Sequence, residues 1–97
     1  MPGYILSPQA AERLKQISQY TLDNFGERQR KLYLKMLRDK MQSAAKSPDR
    51  GKERAEIKTG YYSISAGQHH IYYRIRDAHI EIIDVLHQSM EPLLHIG

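Results

Sequence analysis

A chain of 97 residues holds one domain with one modest core, and its 40% apolar and 27% charged content, without repeats, is that of a folded globular protein. It has no cysteine, hence no disulfide framework or thiolate chemistry; no apolar run nears the roughly 20 residues that cross a bilayer, and Met1-Pro2-Gly3-Tyr4 lacks the blocks of a secretory signal, so a cytoplasmic protein without a membrane segment is expected. The formal charge of +4 is uneven: residues 27 to 58 hold 11 of the 15 Lys and Arg against 5 of the 11 Asp and Glu, a local +6 that leaves −2 elsewhere and favours an acidic partner, nucleic acid or protein.

Tyr4-Ile5-Leu6 reads as a short strand ending at Ser7-Pro8, where Ser7 can cap a helix and Pro8 can occupy its first position. Ala11, Leu14, Ile17, Thr21, Leu22 and Phe25 then recur at helical spacing as one apolar stripe, and Asn24-Phe25-Gly26 closes the helix. A second helix follows at once, with Leu32, Tyr33, Met36, Leu37, Met41, Ala44 and Ala45 inside, and Pro48 ends it. So short a link predicts an antiparallel helical hairpin. Residues 48 to 56 are polar and aperiodic, as expected of an exposed loop.

The last third is a run of β-branched and aromatic segments separated by short polar turns. Strands are expected from about Tyr61 to Ser65, from His69 to Ile75, and from beyond Asp77-Ala78 to His87, the last apolar on both faces and so interior to the sheet. Two-residue turns at Ala66-Gly67 and Asp77-Ala78 would set Ile64 opposite His69, Tyr62 opposite Ile71, Tyr73 opposite Ile82 and Ile75 opposite Ile80, all on one face. The other face would carry Tyr61, Ser63, His70, Tyr72, Arg74, Glu81, Ile83, Val85 and His87, partly open to a partner. The expected fold is α+β, ordered β-α-α-β-β-β, a helical hairpin on one face of a mainly antiparallel sheet. Asp84, in an otherwise apolar strand, must reach the strand end, water or a cation.

Several segments together resemble the ParE branch of the ParE/RelE toxin superfamily: Leu6-Ser7-Pro8-Gln9-Ala10-Ala11, Ser47-Pro48-Asp49-Arg50-Gly51, Glu56-Ile57-Lys58-Thr59-Gly60-Tyr61, the hairpin Gly67 to Arg74, and Val85-Leu86-His87-Gln88-Ser89-Met90. The resemblance covers nearly the whole chain. It implies the toxin of a type II toxin–antitoxin pair, of the kind that stabilises plasmids, with DNA gyrase as target and no cofactor. It also implies a ParD-like antitoxin that wraps the toxin in a hetero-oligomer. Target contacts are then expected at the C-terminal rim, His87, Gln88, Ser89 and Met90, supported by the basic loop residues Arg50, Lys52 and Arg54. Arg13, Tyr20, Tyr72 and Arg74 are expected to face the antitoxin.

The superfamily also includes ribosome-dependent messenger RNA endonucleases. Cutting RNA through its own 2′-hydroxyl needs a base, an acid and a cation for the developing phosphorane charge. His87, with His70 and Arg74 on the same expected face, could supply such a set, and Lys52 and Arg54 could reach in from the loop. Against it, Tyr62 stands where the RelE-like nucleases carry a cation, and His87 rather than tyrosine ends the strand. His70 and His87 as diagonal neighbours also raise a metal site, but a third and fourth ligand are not in sight, so none is expected.

Overall fold

In the computed structural model, which describes residues 3–96, strand β1 (Gly3–Leu6) passes directly into helix α1 (Pro8–Phe25). Ser7 caps as expected, its Oγ accepting from the Ala10 N–H at 3.0 Å and donating to the Ile83 carbonyl at 2.8 Å, which fastens the helix start to the sheet. Gly26, at φ 91°, is the entire link to helix α2 (Glu27–Lys46), a conformation that a side chain would strain. A short 3₁₀ turn (Pro48–Arg50) and strand β2 (Lys52–Glu53) follow, then β3 (Tyr61–Ala66), β4 (His69–Ile75), β5 (His79–His87) and a single-turn helix α3 (Pro92–His95).

The sheet order is β1-β5-β4-β3-β2, with β1 parallel to β5 and the other pairs antiparallel. The expected α+β architecture is therefore present, with β5 interior. The expected loop at 48 to 56 is corrected in part, since Lys52 and Glu53 pair with Ser63 and Tyr62 at the sheet edge. Gly51 makes this approach feasible: a Cβ there would overlap the Tyr73 hydroxyl, which donates to the Pro48 carbonyl at 2.7 Å.

Register follows expectation between β4 and β5, where Tyr73 faces Ile82 and Ile75 faces Ile80. Between β3 and β4 it is displaced by two residues, with Ile64 opposite Ile71 and Tyr62 opposite Tyr73. The turn is Gly67-Gln68, because Gly67 at φ 58° suits its first position while the fully buried Ala66 belongs to the strand. An even displacement keeps every side chain on its expected face.

A β-bulge in β5 has the larger consequence. Tyr73 pairs with Ile82 but Tyr72 pairs with Asp84, leaving Ile83 unopposed. Beyond it the alternation reverses. Val85 joins the core beneath the helices with Leu37, Met41, Ile71, Tyr73 and Ile82, and His87 pairs with His69 on that side, contrary to the face expected for both. Leu86 turns to the other face.

That second face is covered, not partly open. Tyr61, Tyr72 and Leu86 form a smaller core with Ile96, which α3 brings back across the sheet, and Ile57, Ile83 and Met90 pack around it. The helical stripe also needs correction at its far end: Leu22, Phe25 and Leu32 are exposed. The sheet stops at the Gly67-Gln68 turn, level with Tyr33, so the last turn of α1 and the first of α2 overhang with no strand beneath them.

Candidate functional site

The ends of β4 and β5 and the overhanging helices enclose a groove. One part, of about 430 Å³, lies between Tyr20, Phe25, Tyr33 and the Gly67-Gln68 turn; it runs into a second of about 420 Å³ between Arg13, Ile17, Ser89 and Met90. Tyr20, His69 and His87 line both parts, so the two histidines stand at the middle. Tyr20 and Phe25, 63% and 65% exposed, meet edge to face and form the apolar lip.

Tyr33 organises the centre. Its hydroxyl accepts from the Gln68 N–H at 2.9 Å and lies 2.6 Å from His69 Nδ1, a hydrogen bond that fixes the plane of the ring. Burial, and after it the nearby His87 and His70 rings, lower the His69 pKa from 6.5 to about 4, so this ring is neutral near pH 7. Burial likewise raises the Tyr33 pKa, against the opposing Gln68 N–H, and keeps its hydroxyl protonated. On the neighbouring strand, His87 Nδ1 lies 3.1 Å from the Ser89 N–H and 2.8 Å from Ser89 Oγ. The Gln88 N–H and Nε2 donate to the Gln68 carbonyl and Oε1, both at 2.8 Å, tying the end of β5 to the hairpin turn. Mutually hydrogen-bonded polar groups beside exposed aromatic rings suit a surface that binds a partner.

Of the residues singled out in the sequence, Arg13, Tyr20, His87, Ser89 and Met90 line this one groove, with Gln88 at its edge. Arg13 is largely committed inward. Its Nε lies 3.0 Å from Oδ1 of the fully buried Asp84, which also accepts from Gln9 Nε2 at 2.6 Å and from the Val85 N–H at 2.8 Å. The cation required for Asp84 is thus Arg13.

The nuclease set does not assemble. The bulge puts His87 beside His69, ring centroids 5.4 Å apart, and on the opposite face from His70, whose Nδ1 instead approaches Ser65 Oγ. Arg74 is four residues further along β4, roughly 13 Å away by strand rise, and pairs with Glu81 at 2.8 Å. The expected shared face for His70, Arg74 and His87 is therefore corrected, and so is the diagonal pairing of His70 with His87. Among the described residues no three His, Cys, Asp or Glu are grouped to hold a metal ion.

Arg50, Lys52 and Arg54 belong to the segment at the far edge, whose backbone lies three strands and roughly 14 Å across the sheet from β5, so they stand apart from the groove. Arg54 stacks over Tyr72 with 5.3 Å to the ring centroid and pairs with Glu56 at 2.6 Å. Tyr72, expected on an open face, is 2% exposed and cannot meet a partner. Sequence reasoning missed His69 and Tyr33. Alternation alone had put His69 under the helices; the signal passed over was the break in β5, Ile82-Ile83-Asp84-Val85, where apolar residues lose their period of two.

A family model described as "ParE toxin of type II toxin-antitoxin system, parDE" matches residues 4–92. A relative from Mycobacterium tuberculosis named Toxin ParE1 is 38% identical over 89 residues, 91% of each chain, and one of the same name from Caulobacter vibrioides is 33% identical over the full length of both. A solved structure described as "Chromosomal ParDE TA system from P. aeruginosa" superposes with a TM-score of 0.77, covering 90% of this chain and 96% of that one at 13% identity, which shows a shared fold. No helix among the described residues is long and apolar enough to cross a membrane. With the family matched along almost the whole chain and two relatives above 30% identity, this protein belongs to the ParE toxins of type II toxin–antitoxin systems.

Proposed function

We propose that the toxin inhibits DNA gyrase by binding, through the groove at the end of β5, and that a ParD-like antitoxin neutralises it. The carrying observation is the make-up of that groove: His87, Ser89 and Met90 stand beside a neutral His69 and exposed Tyr20, while the groups that RNA cleavage would need lie on opposite faces. His87, Gln88, Ser89 and Met90 are the target contacts of this reading, with Arg50, Lys52 and Arg54 a second contact at the far edge. The antitoxin would cover Tyr20 and the overhanging Phe25, with Arg13 and Arg74 at the margins. An acidic antitoxin segment is favoured by the local +6 between residues 27 and 58.

Purified toxin with gyrase, ATP and supercoiled plasmid should yield linear DNA after protein digestion, and should leave ribosome-bound messenger RNA intact. Codon-positioned messenger cleavage that vanishes in His87→Gln, with gyrase unaffected, would overturn the reading in favour of a nuclease. Calorimetry with the product of the adjacent reading frame tests the partner: if it is the antitoxin, binding should release heat and raise the toxin's melting temperature, and no heat and no shift at micromolar concentrations would remove the claim.

A further inference from the structure

The strongest feature outside the groove is a hollow of about 180 Å³ where the end of α2 and the Pro48–Arg50 turn meet the open part of β3. Lys40 and Arg50 stand on its walls, with the hydroxyl-bearing Ser43 and Ser47 between them, Ser65 contributing main chain, and no carboxylate in the lining. Neither cation takes part in an ion pair among the described residues, although Lys35 with Asp39 and Arg30 with Glu27 show that neighbours on the same helix do. At liquid density the volume corresponds to about six waters, enough for one tetrahedral anion with part of its hydration.

The backbone adds a donor. Tyr61 accepts from Arg54, so in β3 the main-chain groups of residues 61, 63 and 65 point toward β2, and β2 stops pairing at Ser63. The Ser65 N–H therefore faces the hollow without a strand beside it. Gly51 also borders the hollow.

We infer that this hollow is a phosphate site, and that it takes a backbone phosphate of a nucleic acid. Two cations of different geometry, two hydroxyls and a main-chain N–H match an acceptor with several oxygens better than a carboxylate, which one arginine satisfies. The hollow opens on the surface, so a phosphate carried on a polymer can enter it, and the surrounding +6 segment steers a polyanion there. The hollow shares Arg50 with the far-edge contact proposed for gyrase, but its test uses nucleic acid alone and needs no second protein, so the two readings can fail separately.

Amide NMR of the full chain, titrated separately with a short DNA duplex and with inorganic phosphate, tests it. The duplex should shift the amides of Ser47, Gly51 and Ser65 in a saturable manner, at concentrations well below those at which inorganic phosphate acts. In fluorescence anisotropy the double variant Lys40→Gln, Arg50→Gln should bind the duplex about tenfold more weakly. Its salt dependence should be shallower by about 0.9, the contribution of one neutralised phosphate. Both positions are exposed, and an unchanged melting curve establishes that the variant folds. Inorganic phosphate shifting these amides while the duplex does not would overturn the nucleic-acid assignment; shifts absent with both, or unchanged in the double variant, would overturn the site.

Discussion

The ring of His69 stands edge-on to that of His87, centroids 5.4 Å apart and planes at 88°, on the side of the sheet that the helices cover. The contact exists because Ile83 is unopposed, which turns His87 inward, and because Tyr33 holds His69 by its Nδ1.

His69 should make the toxin acid-labile. Its folded pKa, about 4, lies below the 6.5 of the unfolded chain, so the unfolded state binds the proton more readily. The stabilisation is complete above pH 6.5, declines as the pH falls, and is fully lost below about 4. Allowing for partial exposure, about 1 to 2 kcal/mol should disappear across that window. Urea denaturation at a series of pH values should show a shallower acid limb in His69→Gln than in the parent; parallel limbs would refute the assignment.

The Asp84 and Arg13 pair links β5 to α1. Removing either partner leaves the other partly or wholly buried without its counter-charge, so Asp84→Ala and Arg13→Ala should each cost about 3 kcal/mol. The double variant should lose clearly less than the sum of the two. Additive losses in a denaturation cycle would mean that the pair is not coupled.

Ile82 and its neighbour Ile83 occupy opposite faces. Ile82→Ala, fully buried against Tyr73, should cost about 2 to 5 kcal/mol, and Ile83→Ala, at the rim of the smaller core, about 1 kcal/mol. Equal losses would contradict the faces assigned by the bulge.

Gly67→Ala should destabilise by about 2 kcal/mol, since φ 58° disfavours a side chain and its Cβ would come within 2.8 Å of Met36 Cε and 2.9 Å of the Tyr33 ring. The same change should displace Tyr33 and raise the His69 pKa, which an imidazole NMR titration reads directly.

If the groove works by binding, His87→Gln should retain most of the toxicity in a growth assay, while Met90→Glu, which places a charge beside apolar contacts, should abolish it. The reverse order would require proton transfer at His87.

What could be read in advance follows from how local each signal is. Ser7-Pro8, Gly26 and Pro48 punctuate the helices through nearest-neighbour geometry, and the β4 to β5 register follows from one short turn, so these were legible. Phe25 and Leu32 continue the apolar period, but whether a strand lies beneath them depends on where the sheet stops. Ile96 gives no periodic signal, and its burial against Tyr72 comes from the distant end of the fold. The rim residues are legible because a strand ends there; their inward turn shows in the sequence only as the lost alternation at Ile82-Ile83-Asp84-Val85, which does not by itself say which residue is left unopposed.

The last long strand of the chain is also an interior one: β5 alone joins β1 to the rest of the sheet. Before it emerges during synthesis, β1 has no strand to pair with, Ser7 has no Ile83 carbonyl, Arg13 has no Asp84, and the Gln68 turn has no Gln88. A ribosome-bound chain arrested before His79 should therefore be digested by protease throughout its N-terminal half, whereas release past Met90 should protect it. The groove therefore cannot assemble before β5 is available, and a chain that has made only its helices and first strands has no complete binding surface to present.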